Sequence, residues 1–192
     1  MSRSGPQPSS SHTPPPAFIL VCGMPGSGKS HTAQKLKKLL GYQCIIIDEI
    51  RHCILKIAHL SREEQTQRIF EYLQTCLHTY GEKKEGVIID AVFIKDHQRQ
   101  MVIRTAQQRG LSWHIIHVVC RDESLIKHRL ATRVKDDHQQ FSSAQRDDYQ
   151  RILPNREPLT MHHDVLVNEG SESDLDTHLQ HLLSSWQPDQ TT

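Results

Sequence analysis

The chain has few aromatic residues and no excess of charge of either sign. Aromatic side chains make up 5% of its 192 residues, and 23 Lys and Arg stand against 22 Asp and Glu. This balance argues against a long single-stranded nucleic-acid track, which needs a basic groove lined by aromatic rings. No apolar run approaches the roughly 20 residues that a membrane-spanning helix requires. A hydrophobic content of 36% suits one soluble globular domain.

Signals for disulfides, zinc sites and secretion are also missing. The five cysteines include no C-x-x-C pair, which is typical of reduced thiols in the cytoplasm. The 14 histidines are scattered without zinc spacing. The Pro- and Ser-rich N-terminus has no apolar stretch of the kind that secretory signals carry. We therefore expect a cytoplasmic protein with a disordered tail at 1–16, one domain at 17–186 and a short flexible end at 187–192.

Strand-like and helix-like segments alternate along the domain. Apolar runs at 17–22, 42–47, 86–90, 113–120 and 164–168 are typical of strands buried on both faces of a sheet. The segments between them carry helical spacing and helix caps. Strands separated by helices predict right-handed crossovers and a parallel α/β sheet of about five strands.

A glycine-rich segment between the first strand and the first helix fits the phosphate-binding pattern G-x-x-x-x-G-K-[ST]. Its sequence is GMPGSGKS, from Gly23 to Ser30. Glycines let successive backbone N–H groups curl around phosphate oxygens, and the helix N-terminus adds partial positive charge. We expect Lys29 to reach the β- and γ-phosphates of ATP and Ser30 to hold Mg²⁺. The predicted nucleotide-binding residues are Gly23, Pro25, Gly26, Ser27, Gly28, Lys29, Ser30 and His31.

Two aspartates each end a predicted strand. Asp48 is followed by Glu49, a pair that also occurs on the Walker B strand of ATP-hydrolysing motors, where the Glu activates water. Asp90 ends a later strand and is the better candidate for the metal. Asp48 would then lie in the crevice where doubly wound sheets bind ligands, and would take the proton of an acceptor hydroxyl. Arg51, one helical turn further, would steady phosphate; alternatively, Asp48 only caps a helix and Arg51 is solvated.

The segment SLIKHRLATRVK, at 124–135, carries two arginines one helical turn apart. Arg129 and Arg133 lie beside an apolar stripe of the same predicted helix. Two such charges, late in a P-loop domain, suit a lid that closes over the transferring phosphoryl group. A solvated basic helix face is the alternative.

The segments GMPGSGKS, IDEIR and HRLATR together resemble the small P-loop kinases related to 5′-hydroxyl polynucleotide kinase. Zeta-toxin-type and chloramphenicol-phosphotransferase-type kinases are cousins in the same group. The resemblance implies a five-stranded parallel sheet of order 2-3-1-4-5, flanked by helices, with an arginine-bearing lid. It would cover roughly residues 17–186.

The resemblance also implies roles for individual residues. Asp48 would be the general base, with Arg51 three residues later, and Arg129 and Arg133 would be the lid pair. Asp90 would lie near the metal or the acceptor. Two departures concern the acceptor side and the P-loop: the position after Ser30 is His31, where the family often has Thr, and Ala91-Val92 is less polar than acceptor recognition favours.

The sequence therefore predicts a Mg²⁺-dependent kinase that moves the γ-phosphoryl group of ATP to a hydroxyl group. The favoured acceptor is a 5′-hydroxyl end of a nucleic acid. A second hypothesis is a small-molecule kinase with a nucleoside, sugar or antibiotic acceptor. A third, from another class, is a nucleotide-dependent switch or ATPase in which Glu49 activates water. No membrane partner is expected.

Overall fold

The computed structural model of the protein describes residues 17–57, 60–83, 85–132 and 146–186. Strands and helices alternate along them. The strands are β1 (Phe18–Gly23), β2 (Gln43–Ile46), β3 (Val87–Ala91), β4 (Trp113–Val119) and β5 (Asp164–Val167). The helices are α1 (Lys29–Leu40), α2 (Ile47–Ile57), α3 (Arg62–Lys83), α4 (Asp96–Gln108), α5 (Glu123–Thr132), α6 (Arg146–Ile152) and α7 (Glu172–Ser185). A 3₁₀ turn covers Leu153–Asn155.

The strands form one parallel sheet of order β2-β3-β1-β4-β5. This confirms the predicted order 2-3-1-4-5 and the P-loop NTPase type of α/β fold. β1 is central, with Val21 opposite Asp90 of β3 and Gly23 opposite Val118 of β4. The carboxyl ends of these three strands therefore meet at one edge, where doubly wound sheets bind their ligands.

β1 is completely buried because helices cover both faces of the sheet. Phe18 and Leu20 belong to the core shared with α3 and α4. Ile19 and Val21 belong to the core shared with α1 and α7. Both faces of the strand are apolar for this reason, which explains its unbroken hydrophobic sequence.

Helix starts largely follow the capping signals in the sequence. Ser61 and Glu64 form the predicted capping box, with the Glu64 N–H donating to Ser61 Oγ at 3.2 Å and the Ser61 N–H donating to Glu64 Oε2 at 2.8 Å. The second strand is shorter than predicted because Ile47 already begins α2. In the described residues, no helix is both long and apolar enough to cross a membrane. The terminal segments 1–16 and 187–192 lie outside the described residues.

Candidate active site

The loop between β1 and α1 has the backbone shape of a phosphate cradle. Gly26 and Gly28 have φ angles of 83° and 90°, in the left-handed region that glycine adopts without strain. Ser27 N donates to Met24 O at 3.1 Å, which closes the turn. Gly28 precedes α1 without any side-chain cap, so the first N–H groups of this helix are directed to the loop side. The predicted binding residues Pro25 and Ser30 lie on this loop and at the first turn of α1.

Lys29 and Asp90 form a buried ion pair beside the loop. Lys29 Nζ lies 3.9 Å from Asp90 Oδ1, and each side chain is at most 3% exposed. The pair forms because β3 lies directly beside β1, which brings the end of the sequence GVIID to the start of α1. A cation and a carboxylate thus stand at the position where the sequence predicts phosphate and metal binding.

The residues present fit a nucleotide with its metal ion. Ser27 Oγ is buried and has no hydrogen-bond partner among the described residues. A side chain on Gly23 would overlap the Val118 carbonyl oxygen, so the loop start needs glycine. Mg²⁺ binds typically through one or two protein oxygens together with substrate phosphates, which Ser30 and Asp90 can supply. The described residues contain no cluster of three His, Cys, Asp or Glu side chains that could hold a metal alone.

Asn168, which was not among the residues predicted from the sequence, holds the loop from the β5 edge of the sheet. It follows β5 directly, is 6% exposed, and donates from Nδ2 to Ser27 O at 3.0 Å. A side chain on Gly28 would overlap this amide. A polar residue that ends an apolar strand was the available signal, because such residues line the carboxyl edge of the sheet.

Arg129 lies against the same loop. Its Nη1 donates to Asn168 O at 3.0 Å and to the carbonyl oxygens of Gly26 and Ser27 at 3.4 Å each. The predicted lid arginine therefore binds the backbone of the P-loop in this structure. Its predicted partner Arg133 lies outside the described residues.

The other predicted site residues lie at the rim of the candidate site. Asp48 lies in the first turn of α2, directly after the strand in which Ile46 is opposite Asp90. Arg51 follows one turn later on α2 and is exposed. His31 is exposed, and its Nε2 lies 3.0 Å from Glu172 Oε2 of α7.

A pocket with two arginines opens next to the P-loop, on the side of β3 and β4. It is lined by residues 22–24 and 92–94 together with Arg99, His117, Arg156 and Leu159. We call it the Arg99–Arg156 pocket. Arg156 Nη2 lies 2.9 Å from His117 Nε2. Arg99 is 2% exposed and donates to the carbonyl oxygens of Phe93 (2.8 Å), Glu157 (3.0 Å) and Pro158 (2.6 Å).

Burial and neighbouring positive charge decide the protonation of the groups in this pocket. The pKa of His117 falls to about 4, first because the ring is buried and then because Arg156, His163 and Arg99 repel its charged form. His117 is therefore neutral near pH 7. Burial raises the pKa of Cys22 to about 12, which keeps it a thiol. A cysteine nucleophile at this position is excluded on that ground.

Comparison with solved structures shows the same fold in kinases and in related nucleotide-binding proteins. A sugar kinase of a Janibacter species aligns with a TM-score of 0.64 and 17% identity, over 88% of this chain and 94% of the other. Kti12 of Chaetomium thermophilum in complex with ADP-AlF3 aligns at 0.63 and 15% identity, over 87% and 97%. The APS kinase CysC of Mycobacterium tuberculosis, in complex with AMPPNP and APS, aligns at 0.59 and 15% identity, over 89% and 98%.

No curated protein matches the sequence. A family model does: the one described as an AAA domain, AAA_33, matches residues 18–157. The match begins with β1, contains the whole P-loop and reaches the segment that carries Arg156. It spans well over half of the chain. The protein therefore belongs to the AAA_33 family of AAA domains.

Proposed function

We propose that the protein is an ATP-dependent kinase that transfers the γ-phosphoryl group to a hydroxyl of a small acceptor. The observation that carries the proposal is the buried pair of Lys29 and Asp90 at the start of α1. Because Asp90 occupies the position beside the P-loop that suits a metal ligand, Asp48 remains available as the base that takes the proton of the acceptor hydroxyl. A base just after β2 and a metal ligand on the neighbouring β3 divide the work as a hydroxyl kinase requires.

The reaction begins with the acceptor hydroxyl beside Asp48. Its oxygen attacks the γ-phosphorus, the bond from that phosphorus to the β,γ-bridging oxygen breaks, and the hydroxyl proton passes to the Asp48 carboxylate. ADP leaves with the electron pair of the broken bond. Lys29 stabilises the charge that develops on the phosphates, and Arg51 and Arg133 are expected to do the same from the acceptor side and the lid. Arg129 holds the P-loop carbonyls and so keeps the N–H groups of the loop directed at the nucleotide.

Ser30 and Asp90 would hold Mg²⁺, which when bound neutralises charge on the β- and γ-phosphate oxygens. The predicted contact of His31 with the nucleotide would come from its backbone, because its side chain pairs with Glu172. The assignments of Ser30 and His31 follow from the order of residues along the start of α1, and that of Asp90 from its position on β3 beside Lys29.

A switch or ATPase that uses Glu49 to activate water is less well supported. β3 lies between β1 and β2, so Asp48 and Glu49 are one strand further from the P-loop than Asp90. The residue after Asp90 is Ala91, which cannot activate water. The arrangement therefore lacks a Glu next to the aspartate that adjoins the P-loop.

A small-molecule acceptor is favoured over a nucleic-acid end. Structures of a sugar kinase, a gluconokinase and an APS kinase share the fold. The formal net charge of +1 and the few aromatic residues also give no extended track for a strand. The 5′-hydroxyl polynucleotide end stays the competing acceptor and is included in the test.

The test is phosphoryl transfer from γ-labelled ATP with Mg²⁺ to a panel of hydroxyl compounds and a 5′-hydroxyl oligonucleotide, with a control that lacks acceptor. Label should enter a small hydroxyl compound, and Asp48→Asn should lower the rate by roughly 10²-fold or more while Glu49→Gln has a mild effect. Label on the oligonucleotide alone would mean that the acceptor is a nucleic-acid end and not a small molecule. Fast ATP hydrolysis without acceptor that Glu49→Gln abolishes would overturn the kinase.

A further inference from the structure

We propose that the acceptor carries a phosphate or carboxylate group, and that this oxyanion binds in the Arg99–Arg156 pocket. The inference rests on the proposed kinase activity and adds the chemical class of its acceptor. The lining of the pocket includes Gly23, the first residue of the P-loop, and Val92, two residues after Asp90. A small molecule anchored there would extend its hydroxyl towards the nucleotide.

Among the side chains that the structure describes, no carboxylate offsets the charge that Arg156 brings to the pocket. Asp96 offsets the charge of Arg99, with Oδ1 at 3.1 Å from Nη2. Glu157 is engaged by Lys95 Nζ at 3.0 Å and by the Asp96 N–H at 2.8 Å. Among residues 17–53, 60–61, 63–83, 85–132 and 149–186, whose side chains the structure describes, no carboxylate lies within ion-pair distance of Arg156. A planar guanidinium without a carboxylate partner, at the mouth of a pocket, suits a ligand oxyanion.

His117 directs this guanidinium rather than neutralising it. Because its ring is neutral, Nε2 can accept one N–H from Arg156 Nη2 at 2.9 Å. Arg156 has five N–H donors in a fixed fork, and one of them is used in this contact. The remaining donors can bind two oxygens of a phosphate or carboxylate. The ring of His163 packs edge-on to His117, with centroids 5.8 Å apart, and limits its rotation.

Arg99 supplies a second donor and fixes the shape of the pocket. Its Nε is buried and has no hydrogen-bond partner in the part of the chain that the structure describes. Its Nη atoms tie the loop at Phe93 to the segment at 157–158, so Arg156 is held against the loop after β3. Phe93 has a φ angle of 28°, a strained conformation for a non-glycine residue. Strain of this kind is kept where the surrounding structure holds a binding site in shape.

Binding can be tested without any turnover. The protein is labelled with ¹⁵N-histidine and saturated with AMPPNP, so that inorganic phosphate cannot occupy the P-loop. Titration with inorganic phosphate should then shift the Nε2 resonance of His117, and Arg156→Gln should abolish that shift. Arg104→Gln, which removes an exposed guanidinium on α4 that donates to Gln100 Oε1, is the matched control and should leave the shift in place. A His117 resonance that stays unmoved by phosphate in the wild-type protein would overturn the inference.

The second part of the test measures phosphoryl transfer to different acceptors. Pairs of acceptors that differ only in the anion are compared: glucose with gluconate for a carboxylate, and a nucleoside with its 3′-monophosphate for a phosphate. The anionic member should be the better substrate, and Arg156→Gln should raise its KM by roughly 10- to 100-fold. Arg156→Lys should recover only part of this loss, because an ammonium group lacks the fork. Melting temperature and AMPPNP binding are measured for each variant to show that the fold is kept.

The outcomes separate this inference from the proposed activity. Equal transfer to neutral and anionic acceptors, unaffected by Arg156→Gln, would leave the kinase intact and refute the oxyanion site. A phosphate-dependent His117 shift without phosphoryl transfer to any acceptor would support the site and refute the kinase.

Discussion

Asn168 and Ser27 are 141 residues apart in the sequence, yet the side-chain amide of Asn168 donates to the Ser27 carbonyl at 3.0 Å. Arg129 contacts both residues of this hydrogen bond, because its Nη1 donates to the main-chain Asn168 O at 3.0 Å and to Ser27 O at 3.4 Å. The P-loop is thus held by the residue after β5 and by an arginine in the last turn of α5. Its shape depends on the whole sheet.

Replacement of Asn168 should weaken nucleotide binding. Asn168→Ala removes the shorter of two hydrogen bonds to Ser27 O and leaves the longer one from Arg129 at 3.4 Å, which should lower the free energy of unfolding by about 1–3 kcal/mol. We also expect weaker binding of a fluorescent ATP analogue, measured by titration. Asn155→Ala is the control, since its amide donates to Arg151 O at the surface. Wild-type affinity in Asn168→Ala would show that the loop keeps its shape unaided.

Two glycines with similar backbone angles should respond differently to a methyl group. Gly41 has a φ of 70° and open space around the position of a Cβ atom, whereas Gly28 has a φ of 90° and the Asn168 amide in that position. Gly41→Ala should therefore cost only the left-handed strain, about 1 kcal/mol. Gly28→Ala should cost about 2 kcal/mol or more and disrupt nucleotide binding. Urea unfolding of both variants gives the comparison, and equal losses would contradict the role of the amide contact.

Variants of the buried pair of Lys29 and Asp90 should separate the stability of the protein from its nucleotide binding. Lys29→Met leaves the Asp90 carboxylate without its cation, which should lower the free energy of unfolding by about 3 kcal/mol. Adding Asp90→Asn should recover most of this loss, because the buried charge is then gone. Neither variant should bind an ATP analogue at wild-type affinity, since the phosphate contact of Lys29 is missing from both.

The control for this pair is Lys37→Met, which removes an exposed ammonium group from the same helix. Its stability and nucleotide affinity should match the wild-type protein. Recovery of nucleotide binding in the double variant would mean that Lys29 serves only to neutralise Asp90.

Stability should fall on acidification through the titration of His117. Its pKa in the folded protein is about 4, below the ordinary value of 6.5, so the unfolded chain binds the proton more tightly. The contribution of His117 is therefore fully present above pH 6.5 and is lost as the pH falls towards about 4. Arg156, His163 and Arg99 are the charged or titratable groups that face it.

The variant His117→Gln keeps an acceptor for Arg156 but cannot titrate. Its free energy of unfolding should decline less steeply between pH 6.5 and 4 than that of the wild-type protein, measured by urea unfolding at several pH values. His128→Gln, at an exposed histidine, should leave the slope unchanged. Identical slopes for wild type and His117→Gln would mean that His117 titrates normally.

The parts of the fold that local sequence encodes were predictable. Buried parallel strands have unbroken apolar runs, and the P-loop motif consists of eight consecutive residues from Gly23 to Ser30. The position of Asp90 beside the P-loop followed from the same logic, since it lies near the end of a buried strand; its role as a metal ligand stays a prediction. The strand order came from the family resemblance, because spacing along a chain does not say which strands become neighbours.

The contacts that shape the site could not be predicted from local patterns. Asn168 meets the P-loop only because β5 pairs with β4, and Arg99 meets Pro158 across 59 residues of sequence. An arginine in a helix looks solvated until its burial is known, and Arg99 is 2% exposed. The pair of His117 and Arg156 likewise depends on a segment that crosses the end of the sheet without regular strand or helix structure.

The way Arg99 joins two loops also bears on how this protein could be redesigned. The proposed nucleotide site is built from β1, β3 and the start of α1, whereas Arg156 and Leu159 come from a separate stretch whose carbonyl oxygens at Glu157 and Pro158 accept hydrogen bonds from Arg99. That stretch could be exchanged for another of similar length while Arg99 and its carbonyl partners are kept. On the proposed function, substrate choice and phosphoryl transfer would be separately replaceable modules in this architecture.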